Sequence, residues 1–190
     1  KPLSFSTFKK GKENKLDHSV QSTPMLENDL IKYEFNDQGH MISAFDKELG
    51  REVLKSPGNI LSLYEDRPNN WDAWDIDFFY RDALQETAEV SSKSKGQSGA
   101  LSKQLEFEFK IGKSRIFQKI ILQPKSNRID FQTKVEWKEK HKMLRVHFPV
   151  NIMSDQASFD IQYGYVKRNS HRNTSWDLSL IHISEPTRQD

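Results

Sequence analysis

The feature that most constrains the fold of this chain is a repeated alternation of apolar and polar residues with a period of two. Between residues 129 and 137 the odd positions carry Ile, Phe, Thr, Val and Trp, whereas the even positions carry Asp, Gln, Lys and Glu. The same alternation runs through residues 105–111, 144–150 and 159–165. Because successive side chains of a β-strand point to opposite faces, each stretch predicts a strand with one buried and one solvated face.

Shorter apolar runs and turn residues complete this pattern. Further strands are predicted at residues 31–35, 40–45, 60–64 and 116–122. The connections at residues 36–39, 111–114 and 124–127 contain the Gly, Asn, Asp and Pro residues that tight turns favour, and residues 91–99 read as a flexible loop joining two strands. We therefore expect an all-β, antiparallel β-sandwich over about residues 26–166, with under about a tenth of the residues helical.

Composition excludes several classes of function. The 29 basic and 27 acidic side chains are intermixed, so the chain lacks the basic stripe of a nucleic-acid-binding protein. It has no cysteine, which excludes disulfides and Cys-ligated zinc and suits a cytoplasmic location. No apolar run reaches the roughly 20 residues of a membrane helix, so we expect no membrane association. The N-terminal residues 1–14 are cationic but lack the apolar core of a signal peptide.

Both ends of the chain are expected to be interrupted. Residues 1–8 begin within an apolar pattern, as the last strand of a preceding domain would. The 11 residues LSLIHISEPTR (178–188) equal the in-frame translation of a transposase adapter used to prepare sequencing libraries; the alternative is a genuine loop with a short strand. We expect residues 1–20 to end a preceding domain or linker, residues 21–177 to form the sandwich and residues 178–190 to be a non-native tail.

The segment EDRPNNWDAWDID (65–77), which follows a predicted strand, is the most unusual part of the chain. Its indoles could stack on the apolar face of a sugar ring while its carboxylates accept hydroxyl hydrogens, and loops on a rigid sandwich are where such groups collect. The alternative is structural, with the indoles plugging the end of the sandwich and the aspartates capping turns. The candidate sugar-binding residues are Trp71, Asp72, Trp74, Asp75 and Asp77.

A second polar cluster, HRNTSWD (171–177), follows the last predicted strand. His171, Arg172 and Asn173 could bind a carboxylate or a sugar hydroxyl, or they could form a hydrogen-bonded loop that folds back on the sandwich. Elsewhere, His141 is expected in a solvated turn, and His147 is expected to face solvent or an adjoining domain.

The sequence predicts neither a catalytic residue nor a metal ligand in this chain. The six histidines are scattered without the spacing of a zinc site, and there is no serine-nucleophile, phosphate-loop or dinucleotide motif. No pair of carboxylates is placed to flank a glycosidic bond. We therefore expect no cofactor in this portion.

Several of these segments, in the same order, resemble the C-terminal β region of family 38 α-mannosidases. The resemblance is carried by GHMISAFDKELGREVL (39–54), EDRPNNWDAWDID (65–77), WKEKHKMLRVHFPV (137–150), QYG (162–164) and HRNTSWD (171–177). It runs from about residue 26 to residue 177 and is closest to the bacterial and cytosolic branch of the family. It implies the galactose-mutarotase-like supersandwich of these enzymes, here incomplete.

The resemblance also implies a function for the parent protein. Family 38 enzymes are zinc-dependent, retaining exo-α-mannosidases that release terminal mannose from oligosaccharides, with the nucleophile and the zinc ligands in N-terminal domains that this chain lacks. The expected partners are a mannose-containing oligosaccharide and the missing catalytic domain, which this portion would buttress while contributing to the rim of the sugar pocket. The alternative is a stand-alone, non-catalytic carbohydrate-binding sandwich.

Overall fold

The structure, a computed structural model, describes residues 24–69, 76, 78–93, 97–98 and 102–170. This part of the chain consists of β-strands and one 3-10 helix, Phe78–Ala83, and every strand pairing in it is antiparallel. The strands are β1 Met25–Glu27, β2 Ile31–Phe35, β3 Met41–Asp46, β4 Arg51–Glu52, β5 Ile60–Glu65, β6 Leu84–Thr87, β7 Glu89–Lys93, β8 Gln97–Ser98, β9 Lys103–Ile111, β10 Ser114–Leu122, β11 Ile129–Glu136, β12 Lys142–His147, β13 Gln156–Ile161 and β14 Gly164–Asn169.

The strands group into four sheets. Strands β1-β2-β3-β4 form one sheet, β11-β10-β9-β7 with β8 on β9 form a second, β12-β5-β6 form a third, and β13-β14 form a hairpin. Buried residues of the first three sheets belong to a single hydrophobic cluster, so these sheets enclose one core. The predicted all-β, antiparallel sandwich is confirmed.

The centre of the core comes from the strands whose alternation is most regular. The inward side chains of β9 and β10 are almost fully buried, at no more than 3% exposure for Leu105, Phe107, Phe109, Ile111, Ile116, Ile120 and Leu122. Phe35 and Leu26 of the four-stranded sheet are equally buried and belong to the same cluster. Each such side chain contributes about 1.5–3 kcal/mol when it leaves water, and this burial holds the layers together.

The predicted turn between β2 and β3 is present and is closed by Asn36. The Asn36 Oδ1 accepts hydrogen bonds from the backbone N–H groups of Gln38 and His40, at 3.1 and 2.9 Å. Gly39 has φ of +72°, and a Cβ at this position would lie 2.8 Å from the Phe109 ring. Glycine is therefore required both by the backbone conformation and by the close approach of the turn to the core.

A pair of buried amides joins the three sheets. Asn59 precedes β5, is fully buried and has φ of +57°. Its Nδ2 donates to the Gly39 carbonyl at 2.9 Å and to the Gln118 Oε1 at 2.8 Å. In return, the Gln118 Nε2 donates to the Asn59 Oδ1 at 3.1 Å and to the Thr133 Oγ1 at 3.3 Å. The two amides therefore satisfy each other inside an apolar core.

A clamp of hydrogen bonds links the start of the four-stranded sheet to the connection between β10 and β11. The Asn28 Nδ2 donates to the carbonyls of Gln123 and Ser126, at 2.9 and 2.6 Å. The Tyr33 hydroxyl donates to the Asn127 carbonyl at 2.7 Å, and burial raises the pKa of Tyr33 to about 12. These contacts fix one layer of the sandwich on the other.

The carboxylate of Glu52 organises the turn between β3 and β4. It accepts hydrogen bonds from the Ser43 hydroxyl and the Ala44 N–H, both at 2.7 Å, and from the N–H groups of Val53 and Leu54, both at 3.1 Å. Burial by itself would raise the pKa of Glu52, but these four donors together hold the pKa below its ordinary value.

Three local expectations were wrong. The alternation over residues 159–165 is a hairpin, because Tyr163 has φ of +66° and Ile161 pairs with Gly164 across the turn. The proposed loop over residues 91–99 contains strand residues instead, since β7 continues to Lys93 and β8 spans Gln97–Ser98, both along β9. The inward face of β11 is only partly covered, with Val135 39% exposed.

Candidate functional site

The residues proposed from the sequence lie outside the described residues, whereas the chain segments that flank them in sequence are described. This holds for Trp71, Asp72, Trp74, Asp75, Asp77, His171, Arg172 and Asn173. The first segment, residues 65–77, begins at the end of β5 and is followed by the 3-10 helix that leads into β6; its residues 65–69 and 76 are described. The second cluster directly follows Ser170, just beyond β14. The side chains at the end of β5 therefore lie closest in sequence to the start of the first segment.

The outer face of the three-stranded sheet carries a cluster of polar and aromatic side chains, here called the Tyr64 cluster: Tyr64, Tyr80, Arg81, Arg145 and His147. In β5, Leu61 and Leu63 point into the common core, so the alternate residues Ser62 and Tyr64 point to the opposite face.

The register of β12 brings two basic residues to this outer face. Ser62 pairs with Arg145 and Ile60 with His147, and directly opposed residues share a face of the sheet. The Tyr64 hydroxyl lies 3.1 Å from the His147 Nε2, which is hydrogen-bonding distance. His147 thus lies on the outer face of the sheet, half-buried against Tyr64, and the expectation that it faces solvent or an adjoining domain stays a prediction.

Tyr80 of the 3-10 helix covers this face of the sheet. Its ring meets the ring of Tyr64 edge to face, with 5.5 Å between the centroids. The Arg145 guanidinium lies 4.7 Å from the centroid of the Tyr80 ring and also donates a hydrogen bond to the Tyr80 hydroxyl. Tyr80 is consequently only 6% exposed and is packed against aromatic and cationic neighbours that stabilise its position.

Arg81 places a second guanidinium beside Tyr80, 5.7 Å from the ring centroid. Its Nη2 is buried and has no hydrogen-bond partner, the only buried side-chain nitrogen or oxygen atom among the described residues of which this is true. A buried guanidinium N–H without an acceptor is costly, and carboxylate and hydroxyl oxygens are the acceptors that satisfy it best. Arg81 therefore offers a hydrogen-bond donor in the helix that follows the tryptophan- and aspartate-rich segment in the sequence.

The start of this segment is held by the neighbouring backbone and by a surface ion pair. The N–H of Asp66 donates to the His141 carbonyl at 2.9 Å, and His141 itself is exposed in the connection that precedes β12. The Arg67 Nε lies 2.7 Å from the Glu65 Oε1. Arg67 thus has a carboxylate partner within its own strand end.

The described residues do not supply a metal site. No three His, Asp or Glu side chains among residues 24–69, 76, 78–93, 97–98 and 102–170 come together where they could hold an ion. Zinc needs three or four such ligands at one point, so these residues do not fit the zinc ion that the family resemblance implies. No metal chemistry is assigned to them.

A shallow groove of about 510 Å³ runs across the outer face of the five-stranded sheet. Phe117 lines it, and the Arg115 and Lys134 side chains lie 5.3 and 5.8 Å from the centroid of the Phe117 ring. Arg115 pairs with Glu108, and other polar side chains of the groove are Glu106 and Gln132. An aromatic ring among hydrogen-bonding groups could bind a sugar, whereas paired charges are also typical of a solvated sheet face.

Sequence reasoning did not find the Tyr64 cluster. Arg145 and His147 alternate with apolar residues in β12, which by itself assigns them to water. The available signal is the aromatic run Phe78-Phe79-Tyr80, which is followed directly by Arg81. An aromatic run beside a strand indicates a segment that packs on the polar face of the sheet, which alternation alone assigns to water.

Comparison with known proteins identifies the family. The sequence profile of the "Glycosyl hydrolases family 38 C-terminal domain" matches residues 26–187. This chain belongs to glycosyl hydrolase family 38. The match covers most of the chain and extends into residues 178–190, whose non-native origin remains a prediction.

Individual relatives agree with this assignment. The chain is 33% identical to "Alpha-mannosidase 2C1" of Homo sapiens over 162 residues, which cover 83% of this chain and 16% of that protein. It is 34% identical to "Alpha-mannosidase G" of Dictyostelium discoideum over 167 residues, covering 84% of this chain and 15% of that protein. It is 31% identical to "Alpha-mannosidase" of Saccharomyces cerevisiae over 163 residues, covering 76% and 15% respectively. The chain thus spans about one sixth of the length of these relatives.

A solved structure shows the same fold. The crystal structure of an alpha-mannosidase from Enterococcus faecalis V583 superposes with a TM-score of 0.64 and 15% identity, over 87% of this chain and 21% of that one. This family 38 chain therefore has the fold of a region of a much larger protein. None of its described residues forms a helix with the length and hydrophobicity needed to cross a bilayer.

Proposed function

We propose that this family 38 chain is part of a longer, zinc-dependent, retaining exo-α-mannosidase that removes terminal α-mannose from oligosaccharides. The observation that carries the proposal is the family match over residues 26–187, together with relatives that are named alpha-mannosidases. The zinc ligands and the nucleophile would lie outside this chain. A cytoplasmic location, which the family resemblance implies, belongs to the same proposal.

Within that enzyme, this portion would support the catalytic domain and line the rim of the sugar pocket. The proposed rim consists of Trp71, Asp72, Trp74, Asp75 and Asp77, with His171, Arg172 and Asn173. Indoles stack on the C–H face of a sugar, carboxylates accept hydroxyl hydrogens, and arginine and amide groups donate to ring or hydroxyl oxygens. The Tyr64 cluster supports this placement, because it supplies a rigid base at the point where the first segment leaves the sheet.

The proposal can be tested in a chimera of human Alpha-mannosidase 2C1 in which the aligned segment is replaced by the matching residues of this chain. We expect the chimera to hydrolyse an aryl α-mannoside, and we expect the same human protein with the segment deleted to be inactive. A folded chimera without activity, beside an active human parent, would show that this chain does not serve as the C-terminal region of an α-mannosidase.

The rim assignment needs a readout that separates binding from stability. In the chimera, we expect Asp75→Ala or Arg172→Ala to lower kcat/KM about ten- to hundredfold, the loss of one hydrogen bond to a charged group, while the melting temperature changes little. Glu48→Ala, on the exposed turn after β3, is the matched control and should change neither quantity. A fall in melting temperature with unchanged activity per folded molecule would assign these residues to the fold instead.

The second candidate is a stand-alone carbohydrate-binding sandwich, and the groove around Phe117 is the observation that favours it. In that case, the isolated chain would bind manno-oligosaccharides, and Phe117→Ala would abolish the binding. Isothermal titration of the isolated chain with mannotriose distinguishes the two candidates, since the enzyme-fragment proposal predicts no binding at the groove.

A further inference from the structure

The hairpin of β13 and β14 stands apart from the three sheets that enclose the core. Among the described residues, these two strands are hydrogen-bonded only to each other, and the common hydrophobic cluster includes no residue of either strand. Large apolar and aromatic side chains of the hairpin nevertheless lie in water: Ile161 is 51% exposed, Tyr165 is 64% exposed and Tyr163 is fully exposed. Burial in the core therefore does not explain these side chains.

One face of this hairpin is half-buried. Directly opposed residues of two strands share a face, and the pairs Ala157–Arg168 and Phe159–Val166 lie on this one. All four residues are half-buried, and the Arg168 guanidinium lies 5.7 Å from the centroid of the Phe159 ring. The alternation of apolar residues in β13 is explained by this face.

The opposite face of the hairpin carries polar groups and a tyrosine. Its directly opposed pairs are Ser158–Lys167 and Asp160–Tyr165, and all four residues are exposed. Tyr163 lies in the loop at the tip of the hairpin, between the two strands. We call the exposed residues Asp160, Tyr163, Tyr165 and Lys167 the hairpin platform.

The backbone of Tyr163 is strained. Its φ is +66°, a left-handed conformation that crowds the Cβ and that glycine, asparagine and aspartate adopt far more readily than tyrosine. Because the side chain is fully exposed, no packing within the described residues offsets this cost. Unfavourable backbone conformations of this kind cluster at ligand-binding and other functional sites. The conformation therefore indicates that the Tyr163 ring contacts a ligand.

The chemistry of the hairpin platform fits an uncharged, hydroxyl-rich ligand. The two phenol rings offer flat apolar faces to the C–H groups of a sugar ring. The Asp160 carboxylate accepts hydrogen bonds from hydroxyl groups, and the Lys167 ammonium donates to hydroxyl oxygens. Within the described part of the chain, neither charged group has a hydrogen-bond or ion-pair partner, so both are available to a ligand. One negative and one positive charge leave the platform neutral, which does not favour an ionic ligand.

The hairpin also leads to one of the two segments of the proposed rim. From Tyr165, β14 continues to Asn169, and His171 follows two residues later. The four residue steps from Tyr165 to Asn169 correspond to about 13 Å at about 3.3 Å per residue. A single mannose at the end of β14 therefore does not reach the platform, whereas a chain of several sugars does.

We propose that the hairpin platform binds the sugars that follow the terminal mannose in an oligosaccharide, and that it favours oligosaccharides over simple mannosides as substrates. This inference rests on the proposed function, in which the chain is part of a longer α-mannosidase with residues 171–173 at the rim of the sugar pocket. Tyr165 stacks on one sugar ring with Asp160 and Lys167 at its hydroxyl groups, and Tyr163 contacts the next sugar. The platform binds substrate at a distance from the cleaved bond and takes no part in its chemistry.

The test uses the human chimera, with variants that remove each ring. Tyr165→Ala removes the ring on the exposed face, and Tyr163→Gly removes the ring at the tip while placing glycine where φ is positive. Leu49→Ala, in the turn after β3, is the matched control, because Leu49 is 65% exposed and Tyr165 is 64% exposed. For each variant, kcat/KM is measured with mannopentaose and with an aryl α-mannoside, which contains a single sugar, together with the melting temperature.

We expect each tyrosine variant to lower kcat/KM for mannopentaose about three- to tenfold, mainly through a higher KM, because one stacking contact is lost. In the same variants, kcat/KM for the aryl α-mannoside should stay within about twofold of the parent. The melting temperature of Tyr163→Gly should be unchanged or higher, since glycine relieves the strained backbone, and Leu49→Ala should change none of these quantities. Equal losses on both substrates, or an unchanged kcat/KM for mannopentaose, would overturn the inference.

An inactive chimera would contradict the proposed function but would still decide the binding site. Isothermal titration of the folded chimera with mannopentaose then measures the affinity directly. Binding that Tyr165→Ala weakens and Leu49→Ala does not would establish the hairpin platform as a sugar site. Absence of binding, or binding that neither tyrosine variant weakens, would overturn it.

Discussion

The buried amide pair of Asn59 and Gln118 gives the most direct test of how the three sheets are joined. Replacing Asn59 by alanine removes the donor to the Gly39 carbonyl and both hydrogen bonds to Gln118, whose side chain is 4% exposed. Gln118 then keeps only its 3.3 Å contact with Thr133. A buried polar group left without its partner costs about 1–3 kcal/mol.

The backbone adds a second contribution. Asn59 has φ of +57°, which asparagine tolerates and which costs alanine about 1–2 kcal/mol. We therefore expect Asn59→Ala to lower the free energy of unfolding by about 2–5 kcal/mol. Asn59→Gly loses the same hydrogen bonds without the conformational penalty, and it should be about 1 kcal/mol more stable than the alanine variant.

The measurement is urea unfolding of the 190-residue chain followed by circular dichroism, with the free energies obtained by linear extrapolation. Gln132→Ala, on the exposed face of β11, is the control and should stay within about 0.5 kcal/mol of the parent. The double variant Asn59→Gly with Gln118→Leu should cost less than the sum of the single changes, because both partners of the pair are then absent. Strict additivity, or an alanine variant as stable as the parent, would refute the reasoning.

Three further predictions concern the turn at Glu52, the tail and the chemistry of the isolated chain. Glu52→Gln should lower the free energy of unfolding at pH 7 by about 1.5–3 kcal/mol. The pKa of Glu52 is held below its ordinary value of 4.5, so the stabilisation by its carboxylate is present above that pH and is lost as the pH falls through the folded-state pKa. Urea unfolding should therefore show a smaller difference in unfolding free energy between parent and variant at pH 3 than at pH 7. Deleting residues 178–190 should leave the free energy of unfolding within about 0.5 kcal/mol, and a loss several times larger would make the tail part of the fold. The isolated chain should neither hydrolyse an aryl α-mannoside nor retain zinc after dialysis; one zinc per chain by metal analysis, or measurable turnover, would contradict this.

Much of the fold could be predicted because period-two patterning is a local property that burial enforces. The strands β9, β10 and β11 coincide closely with predicted strands, and the turns at Gly39 and Gly112 lie where the residue types require positive φ. The hairpin at Tyr163 could not be predicted in this way. Alternating apolar residues continue through it, and only the left-handed backbone of one tyrosine ends the strand.

The Tyr64 cluster was less predictable, because it depends on which segment covers which face of the sheet. Arg145 and His147 occupy positions that alternation assigns to water, yet the 3-10 helix brings Tyr80 over that face. Likewise, the pattern of β11 indicates burial but does not tell which polypeptide provides it. Periodicity identifies which face of a strand is buried, whereas the segment that packs on that face is decided by the tertiary structure.

The clamp between Asn28 and the residues after β10 has a consequence for biosynthesis. The Asn28 side chain binds carbonyls 95 and 98 residues further along the chain, and Tyr33 binds one 94 residues further along. During translation, β1 and β2 therefore emerge long before their covering layer exists, and at about 5–20 residues per second they wait several seconds for it. The apolar side chains of these first strands are exposed throughout that interval. Chaperone binding to the nascent chain should accordingly be strongest before residue 127 leaves the ribosome.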